Sequence, residues 1–380
     1  MKLKLGRAAV LLSLVCGIFL CAACGGAQGT SEKPTAAVQP TLEQRAEKIL
    51  SSMSLSEKVG QMIMIGVEGT AATEDSLYML HQYHIGGIIL YDKNMKDQEQ
   101  VREFTQTLQR EAGQKVPLFF AVDEEGGLVA RMKDKLPPPP AAEDIAATGD
   151  LGLAENVALE NAKNLKAIGF NTNFAPVADI ASPRKRSYGA DVETVTKFVQ
   201  STAKGYESGG IIYCLKHFPG IGKGKVDTHV DTDVVDLSLA QLEADDMIPF
   251  GTIIKEKNPL DYFVMVSHVT YPQLDPGVPA TLSKVIQTDI LRGKLGYRGV
   301  IITDSVSMGA LSNHYSYREI APRAVKAGAD IVLINHDYPY EADLYLGLLD
   351  AAEKGEIDEA RINDSVRRIL MVKLKHLSEK

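Results

Sequence analysis

The sequence predicts an α/β fold, a single (β/α)8, TIM-like barrel formed by residues 41–380. Three observations predict it: eight apolar runs of strand length, intervening stretches long enough for a helix, and continuous rather than alternating hydrophobicity within the runs. Continuous hydrophobicity is typical of strands covered on both faces, and eight strands alternating with helices is the count of a closed barrel. The expected strands are Met62–Gly66, Gly87–Tyr91, Leu118–Val122, Thr172–Val177, Ile211–Leu215, Phe263–Ser267, Val300–Thr303 and Ile331–Ile334.

Helical patterns are expected at both ends of this domain. Thr41 and Gln44 match a capping box ahead of apolar residues at helical spacing. An open, doubly wound sheet is the alternative fold, and it predicts a nucleotide-binding fingerprint after the first strand. The glycine-rich segment 220–224 follows the fifth run instead and matches neither GxGxxG nor GxxxxGK[ST]. The closing helix is expected to bury one face, formed by Ile362, Val366, Ile369 and Leu370.

The chain begins with a leader typical of secreted proteins. Lys2, Lys4 and Arg7 precede an almost unbroken apolar run over residues 8–23. Because this run is short and is followed by small residues and a polar linker, it is expected to be a secretory signal peptide rather than a membrane span. The protein is therefore expected outside the cytoplasm.

The end of the leader resembles a bacterial lipobox, with two alanines directly before Cys24. Cys21 stands where that motif prefers leucine, and a plain signal peptide cleaved nearby is the alternative. The sequence predicts that residues 1–24 are a lipoprotein signal peptide and that Cys24 is lipidated. Residues 25–40, rich in Thr, Ala and Pro, would then tether the domain to the bacterial cell membrane.

Charge and cysteine content exclude several kinds of function. Loss of the leader's three basic residues changes the formal net charge from −8 to −11, and no basic cluster stands against it, so nucleic-acid binding is not expected. Cys214 would be the one cysteine left without lipid; it lies in an apolar run and is expected to be a buried structural thiol. The histidines form no HExxH pattern, so a metal site is not expected. No cofactor is expected either, and the protein is expected to be a monomer.

Ionisable residues follow most of the expected strands. In a barrel, reactive residues lie just beyond the C-terminal ends of the strands. Six of the eight runs end in such residues, whereas the run interiors carry almost none. One alone would be an ordinary solvated turn, but six together predict a polar pocket at one mouth. These residues are Asp123, Asp179, Lys216 with His217, His268, Asp304, and His336 with Asp337.

Two features within this set indicate chemistry. Asp304 follows a fully apolar strand, and a carboxylate on a rigid strand end can be placed accurately against a substrate atom. Its alternative role is to cap the following helix. Asp227 and His229 stand two residues apart in the glycine-rich segment after the fifth run, and a carboxylate so near can orient an imidazole. Alone, such a pair is a weak signal.

The most specific motif is Lys216-His217-Phe218-Pro219-Gly220 followed by Asp227-Thr228-His229. Further motifs occur in order along the chain: 57–62, 123–131, 186–189, 267–272, 279–283 and 302–310. Together they resemble glycoside hydrolase family 3, in its β-N-acetylglucosaminidase (β-hexosaminidase) branch.

The resemblance implies a retaining exo-β-N-acetylglucosaminidase that hydrolyses terminal β-linked GlcNAc, with peptidoglycan-derived fragments (muropeptides) as the expected substrates. It implies that Asp304 is the nucleophile and that His229, oriented by Asp227, is the general acid and base. The implied substrate-binding residues are Asp123, Arg131, Arg186, Lys216 and His217, with His268 lining the same pocket.

The sequence departs from the family pattern after Pro219-Gly220. The pattern commonly carries His-Gly-Asp there, whereas this chain has Ile221-Gly222-Lys223, which bears on leaving-group recognition. The chain also has no Trp, which fits a small pocket for one terminal sugar. The alternatives are a family 3 β-glucosidase or β-xylosidase, a GlcNAc phosphorylase that transfers the sugar to phosphate, and a non-catalytic glycan-binding surface lipoprotein.

Overall fold

Eight parallel strands form the centre of the protein in a computed structural model that describes residues 40–224 and 230–378. In chain order the strands are β1 (Ile63–Ile65), β2 (Gly87–Ile89), β3 (Phe119–Val122), β4 (Glu124–Gly126), β5 (Val129–Ala130), β6 (Thr172–Asn173), β7 (Ile212–Phe218), β8 (Tyr262–Val266), β9 (Val300–Thr303) and β10 (Val332–Ile334). The main sheet has the order β10-β1-β2-β3-β6-β7-β8-β9, and β4 with β5 forms a separate antiparallel hairpin. A parallel bridge between Ile302 and Ile331 joins the two ends of the sheet, so it closes into a barrel.

The predicted (β/α)8 barrel is therefore confirmed. The sequence did not predict the β4–β5 hairpin, and some strand bounds differ from those expected. The fourth run was expected to extend to Val177, but regular pairing ends at Asn173; Pro176 lacks an amide hydrogen, and Val177 makes only an isolated bridge to Lys216. The fifth strand is longer than expected, so Lys216 and His217 lie inside β7 rather than after it.

Helices surround the barrel. They are α1 (Leu42–Leu50), α2 (Leu55–Gln61), α3 (Glu74–Tyr83), α4 (Gln98–Ala112), α5 (Ala142–Ala146), α6 (Leu151–Ala167), α7 (Val192–Gly209), α8 (Leu239–Ala244), α9 (Ile248–Glu256), α10 (Gly309–Ser312), α11 (Tyr317–Ala327), α12 (Tyr338–Glu353) and α13 (Glu359–His376). Short 3-10 helices span Asp92–Asn94 and Ala280–Leu282, and a π-helix spans Val285–Lys294. Within the described ranges, no helix is long and apolar enough to cross a membrane.

The first and last helices have the features that the sequence predicted. The hydroxyl of Thr41 accepts a hydrogen bond from the amide of Gln44, and the Gln44 side chain accepts one from the amide of Thr41. This reciprocal pair is the expected capping box. In α13 the expected apolar face is fully buried, and this helix packs against α1. Cys214 is also buried, inside β7.

A lysine closes the N-terminal end of the barrel. Lys373 of α13 is fully buried and donates hydrogen bonds to Gln61 Oε1 at 2.7 Å and Gly86 O at 2.8 Å. Its ammonium group lies 4.7 Å from the centre of the Phe119 ring. Burial disfavours the charged form and lowers the pKa of Lys373 well below its ordinary value.

Candidate active site

A cavity of about 490 Å³ lies at the opposite end, where the barrel strands finish. Its lining includes every described residue to which the sequence gave a catalytic or substrate-binding role. Asp227 and His229 lie outside the described residues, as does Cys24. Gly224 and Asp233, on either side of residues 225–229, also line the cavity. The predicted residues in the lining are Asp123, Arg131, Arg186, Lys216, His217 and Asp304.

Asp304 directly follows β9, and hydrogen bonds with the backbone of Val266 and Ser305 fix its position. Its amide donates to Val266 O at 3.0 Å, and the amide of Ser305 donates to its Oδ1 at 2.7 Å. It does not cap the next helix, because Met308 is the N-cap residue of α10. Burial raises its pKa, but attraction to His217 and His268, the Ser305 hydrogen bond and Lys216 together lower the pKa below its ordinary value. Asp304 is therefore an ionised carboxylate at neutral pH.

The imidazole of His217 is fixed between two carboxylates. Its Nδ1 lies 2.7 Å from Asp179 Oδ2, and its Nε2 lies 4.0 Å from Asp304 Oδ2. Asp179 is fully buried and also accepts hydrogen bonds from the amides of His217 (3.1 Å) and Ile221 (2.9 Å). Asp179 thus positions the ring. The sequence placed it at a strand end but gave it no role.

A group of four charged side chains forms another wall of the cavity. Lys216 Nζ lies 2.7 Å from Asp123 Oδ1 and 2.7 Å from Glu125 Oε1. Arg186 donates two hydrogen bonds to Glu125, at 2.8 and 2.7 Å. Burial raises the pKa of Glu125, but the two cations outweigh it and hold this pKa well below the ordinary range. Glu125 therefore links Lys216 and Arg186; the sequence placed it in a family motif without assigning it a function.

Arg131 reaches the same wall from the β4–β5 hairpin. Its Nη2 lies 3.8 Å from Asp123 Oδ2, and its guanidinium lies 5.3 Å from the centre of the Tyr91 ring. Glu124 Oε2 accepts the amides of Arg131 (2.8 Å) and Met132 (3.1 Å), which fixes the hairpin. Burial raises the pKa of Glu124 to about 7, although these two hydrogen bonds oppose the rise.

Three of the six strand-end groups do not line the cavity, contrary to expectation: Asp179, which lies behind His217, His268, and His336 with Asp337. His268 is 1 % exposed and lies behind Asp304, with Nε2 at 2.8 Å from Ser305 O and Nδ1 at 2.6 Å from Thr281 Oγ1. It supports the turn after Asp304 instead of lining the pocket. His336 packs against Tyr340, with ring centres 4.4 Å apart, and does not line the cavity.

Comparison with known proteins identifies the family. The profile of the glycosyl hydrolase family 3 N-terminal domain matches residues 54–372. The chain belongs to glycoside hydrolase family 3. The resemblance predicted from the motifs is thereby confirmed.

Two proteins named β-hexosaminidase are similar to this chain. It is 35% identical over 308 residues to a β-hexosaminidase of Chromobacterium violaceum, a match that covers 78% of this chain and 84% of that protein. It is 34% identical over 328 residues to β-hexosaminidase A of Pseudoalteromonas piscicida, covering 78% of this chain and 54% of that protein.

Solved structures have the same architecture. A β-N-acetylglucosaminidase from Paenibacillus sp. FPU-7 superposes with a TM-score of 0.83 at 35% identity, over 86% of this chain and 64% of that one. The β-N-acetylhexosaminidase of Beutenbergia cavernae gives 0.77 at 31% identity, over 84% and 98%. The chain thus spans little more than half of the Pseudoalteromonas protein and just under two thirds of the Paenibacillus chain.

Proposed function

We propose that the protein is a retaining exo-β-N-acetylglucosaminidase that removes terminal β-linked GlcNAc. The observation that carries this proposal is Asp304, an ionised carboxylate on a strand end in the cavity, with the His217 ring 4.0 Å away. A retaining glycosidase needs such a carboxylate as its nucleophile. The choice of GlcNAc is supported by the β-hexosaminidase relatives.

In the proposed first step, Asp304 attacks the anomeric carbon and forms a glycosyl-enzyme ester as the bond to the leaving-group oxygen breaks. His229, oriented by Asp227, protonates that oxygen. In the second step His229 takes a proton from water, whose oxygen attacks the anomeric carbon and releases Asp304. Histidine suits both steps because its ordinary pKa is near neutrality. The roles of His229 and Asp227 rest on the sequence motif.

The charged wall of the cavity is proposed to bind the sugar. Asp123 and the nearby cations offer acceptors and donors for hydroxyl groups, and hydrogen bonds to charged groups are stronger than those between neutral groups. The sugar-binding residues proposed are Asp123, Arg131, Arg186, Lys216 and His217.

We also propose that the substrates are peptidoglycan-derived fragments and that the protein acts as a monomer outside the cytoplasm, anchored to the cell membrane through lipid on Cys24. The leader and its resemblance to a lipobox support this location.

The proposed activity is tested with 4-nitrophenyl glycosides of β-GlcNAc, β-glucose and β-xylose, each with and without phosphate. We expect kcat/KM for β-GlcNAc to exceed the others on the order of 100-fold, with GlcNAc as product in both buffers. Preference for β-glucose or β-xylose would reject the specificity. Formation of GlcNAc 1-phosphate would reassign the reaction as phosphorolysis, and binding of GlcNAc without turnover would indicate a glycan-binding protein.

A further inference from the structure

The cavity combines charged side chains with apolar ones. Leu128, Ile221 and Met308 line it together with the charged groups and are here termed the apolar rim. We propose that the apolar rim binds the leaving group of the glycoside and takes leaving groups that present an apolar face. This inference rests on the proposed function, because it assumes that a sugar occupies the charged part of the cavity.

Leu128 is the most exposed member of the rim. It lies in the turn between β4 and β5 and is 72 % exposed, although apolar side chains of this size are usually buried. The turn itself is fixed. The amide of Gly127 donates to Pro139 O at 3.0 Å, and a Cβ atom on Gly126 would lie only 2.3 Å from Pro140 O. The exposure of Leu128 is therefore built into a packed hairpin.

Ile221 lies beside the residues that hold the His217 ring. Its amide donates to Asp179 Oδ1 at 2.9 Å, the oxygen that also accepts the amide of His217. The next residue packs tightly, since a Cβ atom on Gly222 would lie 1.5 Å from Ile180 O. Ile221 presents a purely aliphatic side chain to the cavity, so this part of the rim is apolar.

Met308 completes the rim from the strand that carries the nucleophile. It is the N-cap residue of α10, four positions after Asp304, and is 8 % exposed. Leu128, Ile221 and Met308 thus lie in the connections after β3, β7 and β9. Asp123 and Asp304 directly follow β3 and β9, and His217 lies in β7, so each rim residue is close in sequence to a charged residue of the cavity.

The proposed chemistry decides what the rim would contact. The anomeric carbon must meet Asp304 while the sugar hydroxyls contact the charged wall. The bond to the leaving group must then point toward solvent, where Leu128 is exposed. Covering an exposed leucine side chain favours binding by about tenfold. An aryl ring and the C–H face of a second sugar both offer the apolar surface required.

The test measures equilibrium binding of thioglycosides of β-GlcNAc, which resist hydrolysis, by isothermal titration calorimetry. The ligands are the methyl and phenyl thioglycosides and the sulfur-linked GlcNAc disaccharide. We expect wild-type protein to bind the phenyl compound about tenfold more tightly than the methyl compound. Leu128→Ser and Ile221→His should each reduce this ratio by about threefold or more. The control is Leu151→Ser, which removes an exposed leucine at the start of α6, away from the cavity.

Each outcome separates the rim from the proposed function. The role of the rim is rejected if the methyl thioglycoside binds but the phenyl compound binds no more tightly. It is also rejected if neither rim variant lowers the ratio of phenyl to methyl affinity. In both cases the proposed function stands. If wild-type protein binds none of the three ligands, both fall. A gain for the disaccharide as well as the phenyl compound identifies a sugar face as a ligand, and a gain for the phenyl compound alone restricts the rim to aryl groups. Thermal melts verify that the variants are folded.

Discussion

His217 lies between Asp179 and Asp304, with its Nδ1 at 2.7 Å from the first carboxylate and its Nε2 at 4.0 Å from the second. Asp179 is fully buried, whereas the side chain of Asp304 is 21 % exposed in the cavity. Attraction to His217 is the largest of the effects that lower the pKa of Asp304 against burial. The ring therefore affects the pH at which Asp304, the proposed nucleophile, is ionised.

Replacing the ring should change the pH dependence of the reaction. In His217→Gln the pKa of Asp304 should rise, because burial is then opposed by fewer attractive groups. Since the proposed nucleophile must be ionised, the acidic limb of the kcat/KM profile should move to higher pH. Asp179→Asn should move it in the same direction by less. An unmoved acidic limb in both variants would show that Asp304 does not control it.

Asp304→Ala should abolish turnover while the protein stays folded. We expect kcat to fall about a thousandfold or more, because no carboxylate then forms the glycosyl-enzyme ester. Azide added to this variant should restore turnover and give the α-glycosyl azide, since it attacks from the vacated face. Asp337→Ala removes a well-exposed carboxylate after β10 and is the control. Full activity of Asp304→Ala would rule out the proposed nucleophile.

His229→Ala should slow substrates according to their need for protonation. Cleavage of a GlcNAc disaccharide should fall far more than cleavage of the 4-nitrophenyl glycoside, whose leaving group departs without a proton. The two kcat/KM values are compared with those of His314→Ala, which removes an exposed histidine. Equal slowing of both substrates by His229→Ala would reject the acid and base assignment.

Glu341 should make the protein less stable in alkaline solution. It is fully buried, and its Oε1 accepts the amides of Gly66 (3.1 Å) and His336 (3.2 Å). Burial raises its pKa to about 9, although these hydrogen bonds oppose the rise. The folded state therefore favours the neutral acid, and the associated stability is present below the ordinary pKa of 4.5 and is lost as the pH rises through about 9.

Glu341→Gln removes this titration and should lessen the fall in Tm between pH 6 and pH 9, by on the order of 2–4 °C. Differential scanning calorimetry of both proteins measures the difference. Glu353→Gln, at the exposed end of the same helix, serves as the control. Parallel falls in Tm for wild-type protein and Glu341→Gln would contradict the role given to this carboxyl group.

Cys24→Ala should release the protein from the membrane. Without the thiol no lipid can be attached, so the protein should move from the membrane fraction to the medium and lose labelling by radioactive palmitate. Cys21→Ala, three residues earlier, should leave both properties unchanged. Retention of Cys24→Ala in the membrane fraction would reject lipidation at this position.

Most barrel strands could be predicted because they lie in apolar runs, although β6 itself consists of Thr172 and Asn173. Asp304 could be predicted because it directly follows such a run. The ion pairs between charged side chains of the cavity could not be predicted from the sequence. Glu125 acquires its importance from Lys216 and Arg186, which come from chain segments far away in sequence. Such pairing depends on how the ends of β3 and β7 approach each other, which no local pattern records.

The backbone conformation of the turn before Arg186 could not be predicted from the sequence either. Ala181, Arg184 and Lys185, which precede Arg186, adopt positive φ angles of 59°, 63° and 61°. Such angles are uncommon without glycine and carry a cost in free energy that the surrounding fold must offset. The residue types in this segment do not predict the turn, although the turn places Arg186 within hydrogen-bonding distance of Glu125.

The two hydrogen bonds from Arg186 to Glu125, and the contact of Lys216 with the same carboxylate, join side chains of the protein itself. Long cationic side chains lose considerable rotational freedom when they are fixed in one position. Here that loss is incurred when the chain folds, not when a ligand arrives. Glu125 therefore preorganises the two cations, and in a preorganised site more of each hydrogen bond to a ligand is available as affinity.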